Sequence, residues 1–129
     1  MDFIVRSRLG FEPNADVFVD EERGLVVVAV EVAGADPDSL RVEVDGRYLT
    51  VVGVRGEPVR FQRGSFVQKE IAYGPFGKQV RLPVGVDLLG DAHASYADGV
   101  LVISLAVSST AYLPTTRTEI RMIVKRTLS

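Results

Sequence analysis

Residues 91–107 constrain this chain more than any other stretch: D-A-H-A-S-Y-A-D-G-V-L-V-I-S-L-A-V. Two extended runs flank Asp98-Gly99. Glycine accepts the positive φ that a two-residue hairpin turn demands, so this dipeptide predicts a tight β-hairpin. Residues 100–105 behind it are rich in β-branched side chains and have the length of one strand. Ahead of it, Ala94 and Tyr96 alternate with Ser95, as in a short strand with one buried face.

The same grammar runs through the rest of the chain. Residues 16–20 and 25–32 read as two strands around E-E-R-G. The second, L-V-V-V-A-V-E-V, is almost continuously apolar and reads as a central strand covered on both faces. Turn formers over 34–39 end it, and Pro37 is placed to open a single helical turn. Leu40, Val42 and Val44 alternate with Arg41 and Glu43, so the three apolar residues share one face. Asp45-Gly46 then predicts a second hairpin leading into 48–54.

Residues 55–65 are polar, with Gly56, Pro58, Gly64 and three arginines, Arg55, Arg60 and Arg63. They read as an excursion between strands. Residues 66–73 are a further candidate strand broken by Gly74-Pro75; 76–82 is another, stopped by Pro83, and 84–90 is a connector. Seven to eight short β-segments with Asp-Gly turns, and no amphipathic helix longer than a turn, predict an all-β antiparallel sandwich. At 129 residues this is one domain with short arms. A chain of this size buries roughly two-thirds of its unfolded surface and needs no metal or disulfide staple. It has no cysteine, so neither disulfide nor thiolate chemistry is available.

The ends differ from the middle. Residues 1–14 form a short N-terminal arm in which Phe3, Ile4, Val5, Leu9 and Phe11 are interrupted by Arg6 and Arg8. It reads either as a disordered start or edge strand, or as a sticky segment that packs on other subunits or clients. Residues 109–129 form a C-terminal extension with Pro114 and several threonines, closing on the apolar knot I-R-M-I-V at 120–124.

Catalytic chemistry is nearly absent. His93 is the only histidine, too few nitrogen or sulfur ligands for a zinc site, and it sits beside the most strand-like hairpin. The pairs Asp36/Asp38 and Glu21/Glu22 lie in turns, where such residues serve the backbone. G-P-F-G-K at 74–78 lacks the glycines and the Ser or Thr of a phosphate loop. Fifteen basic against 17 acidic residues give a net charge of −2, which argues against nucleic acid as a partner. No apolar run approaches the roughly 20 residues of a membrane span. The first residues lack a signal peptide's basic start and apolar core, so a cytoplasmic protein is expected. No cofactor and no enzymatic activity are expected. The mean hydropathy is slightly positive, at +0.18, which points to apolar surface buried between chains.

Four ordered blocks carry a family resemblance. A-S-Y-A-D-G-V-L at 94–101 resembles the A-x-x-x-n-G-V-L signature of the α-crystallin domain, the core of small heat shock proteins. E-V-A-G-A-D-P-D-S-L-R-V-E-V at 31–44, L-T-V-V-G-V-R at 49–55 and F-G-K-Q-V-R-L-P at 76–83 resemble three further family segments, "PG-v-x-x-x-d-i-x-v-x-v", "L-x-I-x-G-x-R" and "F-x-R-x-f-x-L-P". Together they cover roughly residues 16–107.

The resemblance implies an immunoglobulin-like β-sandwich over 15–108 and ATP-independent holding of unfolding client proteins. It implies a homodimer built by exchange of the excursion strand, here Phe66, Val67, Glu70 and Ile71, and assembly of dimers into higher oligomers. Lys78 stands where the family has an arginine; lysine lacks the planar fork for bidentate pairing, which weakens any dimer salt bridge there. The family tail docks in a groove on a neighbouring dimer. Ile120 and Met122 fit that motif, with 122–124 as a rival register and a strand of the chain's own sandwich as the other alternative. Leu40, Val42 and Val44 would line one wall of the groove, with the strand around His93 opposite. Phe3, Ile4, Leu9 and Phe11 would form the client-binding arm. The competing reading is a sandwich of the co-chaperone type that binds a folded protein partner and needs no tail motif.

Overall fold

The computed structural model describes residues 10–83, 87–108, 118–120 and 122–124. The strands are β1 (Asn14–Asp20), β2 (Leu25–Glu31), β3 (Arg41–Asp45), β4 (Tyr48–Arg55), β5 (Gly74–Arg81), β6 (Asp87–Ala97) and β7 (Val100–Ser108). Two three-residue strands follow, β8 (Thr118–Ile120) and β9 (Met122–Val124). They build a five-stranded sheet in the order β1-β2-β7-β6-β9 and a four-stranded sheet in the order β5-β4-β3-β8. All neighbours run antiparallel except β6 and β9. The fold is the all-β sandwich that the sequence predicts.

Alternation makes the core. Val26, Val28 and Val30 of β2, Ala94 and Tyr96 of β6, and Leu101, Ile103 and Leu105 of β7 are buried. Val42 and Val44 of β3, Leu49 and Val51 of β4, and Phe76 and Val80 of β5 are buried with them in one cluster. Each set repeats at even spacing, which is the period that puts side chains on one face of a strand. The β6–β7 hairpin closes on Asp98-Gly99, flanked by the pair Ala97↔Val100. Both turn residues have positive φ, 53° and 80°, as a two-residue turn twisted with its strands requires.

Four local expectations change. β2 is central, between β1 and β7, but its burial alternates, so only one face is fully covered. Its unbroken apolar run reflects an outer face that is half-buried rather than a second covered face. The β3–β4 turn is Gly46-Arg47, one residue later than Asp45-Gly46, because Asp45 pairs with Tyr48. β6 starts at Asp87, inside the expected connector, with a register shift between Leu88 and Ala92. Residues 62–73 form no strand; an extended run becomes a strand only when it pairs with another, and these residues pair with none of the described strands. Pro37 does open a single 3-10 turn, Pro37–Ser39, capped by Asp36, whose Oδ1 accepts from the Asp38 N–H at 3.0 Å.

Candidate functional site

Three surfaces collect the residues that the sequence singles out. The first is the gap between the two sheets along β3 and β6. Leu40, Val42 and Val44 are fully buried there, on the inner face. β3 holds β4 on one side and β8 on the other; β6 holds β7 on one side and β9 on the other. Without 118–124, both β3 and β6 would end their sheets. Ile120 is in register with Val42, Glu119 with Glu43 and Thr118 with Val44. Met122 is in register with Ala94, Ile123 with Ser95 and Val124 with Tyr96. The tail therefore crosses from one sheet to the other between Ile120 and Met122. In this structure residues 118–120 and 122–124 are thus strands of the chain's own sandwich, the other alternative the sequence leaves open, with Ile120 on one sheet and Met122 on the other.

The second surface is the excursion between β4 and β5. Phe66, Val67, Glu70 and Ile71 are exposed, Val67 at 104%. Phe66 meets Phe61 edge-on with centroids 5.4 Å apart, and Lys69 lies over Phe66 at 5.2 Å and Tyr73 at 4.9 Å. Val59 is exposed as well.

The third surface is the arm. Phe3, Ile4 and Leu9 lie outside the described residues. Phe11 bridges to Phe76, their rings 5.3 Å apart, and its carbonyl accepts from Gly77 N–H at 3.4 Å. Gly10 N–H donates to the Pro75 carbonyl. Lys78, on β5, pairs with Glu12 of the same chain at 2.9 Å. Its ammonium, a point charge without a fork, thus ties the arm to β5.

Sequence reasoning passed over three features. Arg55 stacks over Phe11 at 4.3 Å, donates from Nε and Nη2 to the Ala72 carbonyl at 2.9 and 2.6 Å, and from Nη1 to the Ala33 carbonyl at 3.1 Å. One guanidinium so joins the arm, the end of the excursion and the turn after β2. Its sequence neighbours Gly56 and Pro58 hid it in a polar loop. The Tyr96 hydroxyl is buried and doubly bonded, which an alternating strand pattern does not reveal. Val17, Phe18 and Val19 on β1 are exposed, Phe18 at 62%; as three apolar residues in a row they break the alternation that marks a one-faced strand.

No catalytic constellation accompanies these surfaces among the described residues. His93 is exposed on β6, opposite Ser104. No group of three His, Cys, Asp or Glu suited to a metal occurs among the described residues.

Known proteins share this architecture. The solved structure of HSP18.5 from E. histolytica superposes with a TM-score of 0.66 at 26% identity, covering 81% of this chain and 96% of that one. A small heat-shock protein from Xylella fastidiosa superposes at 0.63 with 28% identity, covering 76% and 87%. In sequence, the "Alpha-crystallin" of Mycobacterium tuberculosis (strain ATCC 25618 / H37Rv) is 39% identical in an alignment 108 residues long that covers 79% of this chain and 72% of that protein. The "19.0 kDa class II heat shock protein" of Oryza sativa subsp. japonica is 34% identical in an alignment 100 residues long that covers 71% of this chain and 57% of that protein. The family profile matches residues 18–121, from the middle of β1 to just past β8. With the sandwich and the sequence blocks inside that match, this chain belongs to the Hsp20/alpha crystallin family, the ATP-independent chaperones known as small heat shock proteins.

Proposed function

We propose that this chain is a holdase: it binds unfolding proteins on apolar surface and keeps them from aggregating, without nucleotide. The observation that carries this reading is the amount of large apolar side chain left uncovered. Val17, Phe18 and Val19 line β1, and Val59, Phe61, Phe66, Val67 and Ile71 stud the excursion. Scattered apolar residues are ordinary on a surface, but contiguous ones mark places where another chain binds.

Two kinds of chain fit those places. One is a second copy. Residues 66–71 have no strand partner among the described residues, and β1 is the outermost strand of its sheet. An extended segment from a partner subunit would add to such an edge by backbone hydrogen bonds, with side chains filling alternate positions. That is the homodimer, and the segment 118–124 with its β3–β6 groove is the element from which higher oligomers are built. The other is an unfolding client, which offers exposed strands and apolar side chains of the same character. Phe11, with Phe3, Ile4 and Leu9, extends this client surface at the arm. The work is done in the cytoplasm.

The test is a light-scattering assay of a heat-labile client with and without the purified chain, in the absence of ATP. Suppressed scattering at near-equimolar subunit, unchanged on adding ATP, is the expected result. Scattering that rises equally with and without the chain over a range of temperatures overturns the reading.

A further inference from the structure

An antiparallel sheet with one face on the core ordinarily turns polar side chains to water on the other. The five-stranded sheet departs from that rule. Val26, Val28 and Val30 point into the core, so Leu25, Val27 and Ala29 stand on the outer face of β2. The register carries this face across β7 and β6 in rows such as Ala29–Val102–Ser95 and Leu25–Ala106, all uncharged and half-buried. Phe18 of β1 belongs to the same face, opposite Val27.

Charge gathers at one corner. Asp16 stands opposite Ala29, and Glu31, two residues on, is its diagonal neighbour across the β1–β2 pair; both are exposed. Asp20 is already engaged by Arg23, whose backbone N–H donates to it at 3.1 Å. β1, β2, β6 and β7 contain no lysine or arginine. The face is therefore apolar at its centre and acidic at a corner.

We propose that this face receives an extended apolar segment of an unfolding client whose flank is basic. The proposal rests on the holdase reading and names the class of segment held. Strands about 4.8 Å apart and residues about 3.3 Å apart make the face roughly 15 Å across and 20 Å long, on the order of 300 Å². A stable pair of folded proteins covers about 800 Å² on each partner, so the face is too small to hold a second copy. A second copy would also bring the same carboxylates and no cation to meet them. About six extended residues span the same length, and their alternate side chains point to one side. An apolar set settles on Val27, Ala29 and Val102 with no side-chain hydrogen bond demanded, so the face reads apolarity and alternation rather than a sequence. Asp16 and Glu31 add a charge preference: a lysine or arginine beside the segment is attracted, a carboxylate repelled.

The probes are two labelled peptides with the same V-T-V-T-V-T core, one carrying lysines at both ends and one glutamates, titrated with the full chain by fluorescence anisotropy. The lysine peptide should bind about tenfold tighter at low ionic strength, and the ratio should fall towards one at about 1 M salt, where the screening length is about 3 Å. Asp16→Lys with Glu31→Lys, both at exposed positions, should reverse the preference. Glu57→Lys with Glu70→Lys makes the same change in net charge on the exposed excursion and should leave the preference as it is. Val27→Thr with Val102→Thr keeps the side-chain shape, adds two hydroxyls to the apolar centre and should weaken both peptides by at least about threefold. Equal binding of the two peptides, a reversal produced as well from Glu57 and Glu70, or unweakened binding by the threonine variant overturns the site. The holdase reading survives any of these if the chain still suppresses client scattering. A chain that neither binds the peptides nor suppresses scattering overturns both.

Discussion

The hydroxyl of Tyr96 lies 2.6 Å from the carbonyl oxygen of Val32, to which it donates, and 3.1 Å from the backbone nitrogen of Ala35, from which it accepts. The phenol is buried on β6, while Val32 and Ala35 belong to the turn that leaves β2. One side chain thus satisfies two backbone groups far away in sequence and pins that turn to the end of the β6–β7 hairpin. Tyr96→Phe removes only the oxygen and leaves both backbone groups without their partner. A buried group stripped of its partner costs about 1–3 kcal/mol. The urea midpoint should fall accordingly with the slope unchanged. An unchanged midpoint would mean that water replaces the hydroxyl at no cost.

Arg55 predicts coupling between distant segments. Arg55→Lys keeps the charge and loses the fork that reaches the Ala72 and Ala33 carbonyls together and the plane that lies over Phe11. The Gly77 amide, bonded to the Phe11 carbonyl, reports whether the arm stays docked. Its hydrogen exchange should speed up by about tenfold, the equivalent of about 1.4 kcal/mol, in the range of a desolvated cation–π interaction. Phe11→Ala should accelerate the same amide. Unchanged exchange in Arg55→Lys would show that the Phe11–Phe76 packing and the Lys78–Glu12 pair hold the arm without the guanidinium.

These two residues also show what a sequence makes legible. Asp98-Gly99 announces its hairpin because the turn's φ values are a local demand that few residues meet. Leu40, Val42 and Val44 announce their shared face because burial and strand period coincide. Arg55 announces nothing, since its partners lie 17 and 22 residues away and any solvated loop contains arginines. The tail is intermediate. Its apolar knot is visible, but an extended segment carries no local mark of which edge it joins, nor that Ile120 would meet β3 while Met122 meets β6.

Gly53 predicts a packing limit. A Cβ there would lie 2.6 Å from Phe76 Cζ and 2.9 Å from Leu40 Cδ2, both fully buried side chains. Neither has open space to move into, because both belong to the central cluster. Gly53→Ala should therefore cost about 1–3 kcal/mol, the usual penalty of overpacking, despite alanine's better fit to an extended backbone. Thermal unfolding checks it. A variant as stable as the parent would show that the Phe76 ring shifts freely.

Phe18 separates binding from stability. Its ring is mostly in solvent on the outermost strand of the five-stranded sheet, so Phe18→Ser should change the unfolding free energy by no more than about 0.5 kcal/mol. The same change removes the largest apolar group of the Val17–Phe18–Val19 patch. The subunit concentration needed to halve client scattering should rise at least about threefold, the scale expected when a partly buried apolar side chain is taken from a binding surface. Parent-like protection by Phe18→Ser would move the client surface off β1 and onto the excursion or the arm.

Truncation after Thr116 tests the tail as the element that joins dimers. Its loss leaves β3 and β6 as the ends of their sheets, beside the buried Val42, Val44, Ala94 and Tyr96. An extended segment adds to such an edge by backbone hydrogen bonds, so removing the segment removes the contact. Light scattering coupled to size exclusion should show the full chain as a larger assembly and the truncated chain as dimers. The same small species from both chains would show that Ile120 and Met122 connect no subunits, and would leave the holdase reading to rest on the client-scattering assay.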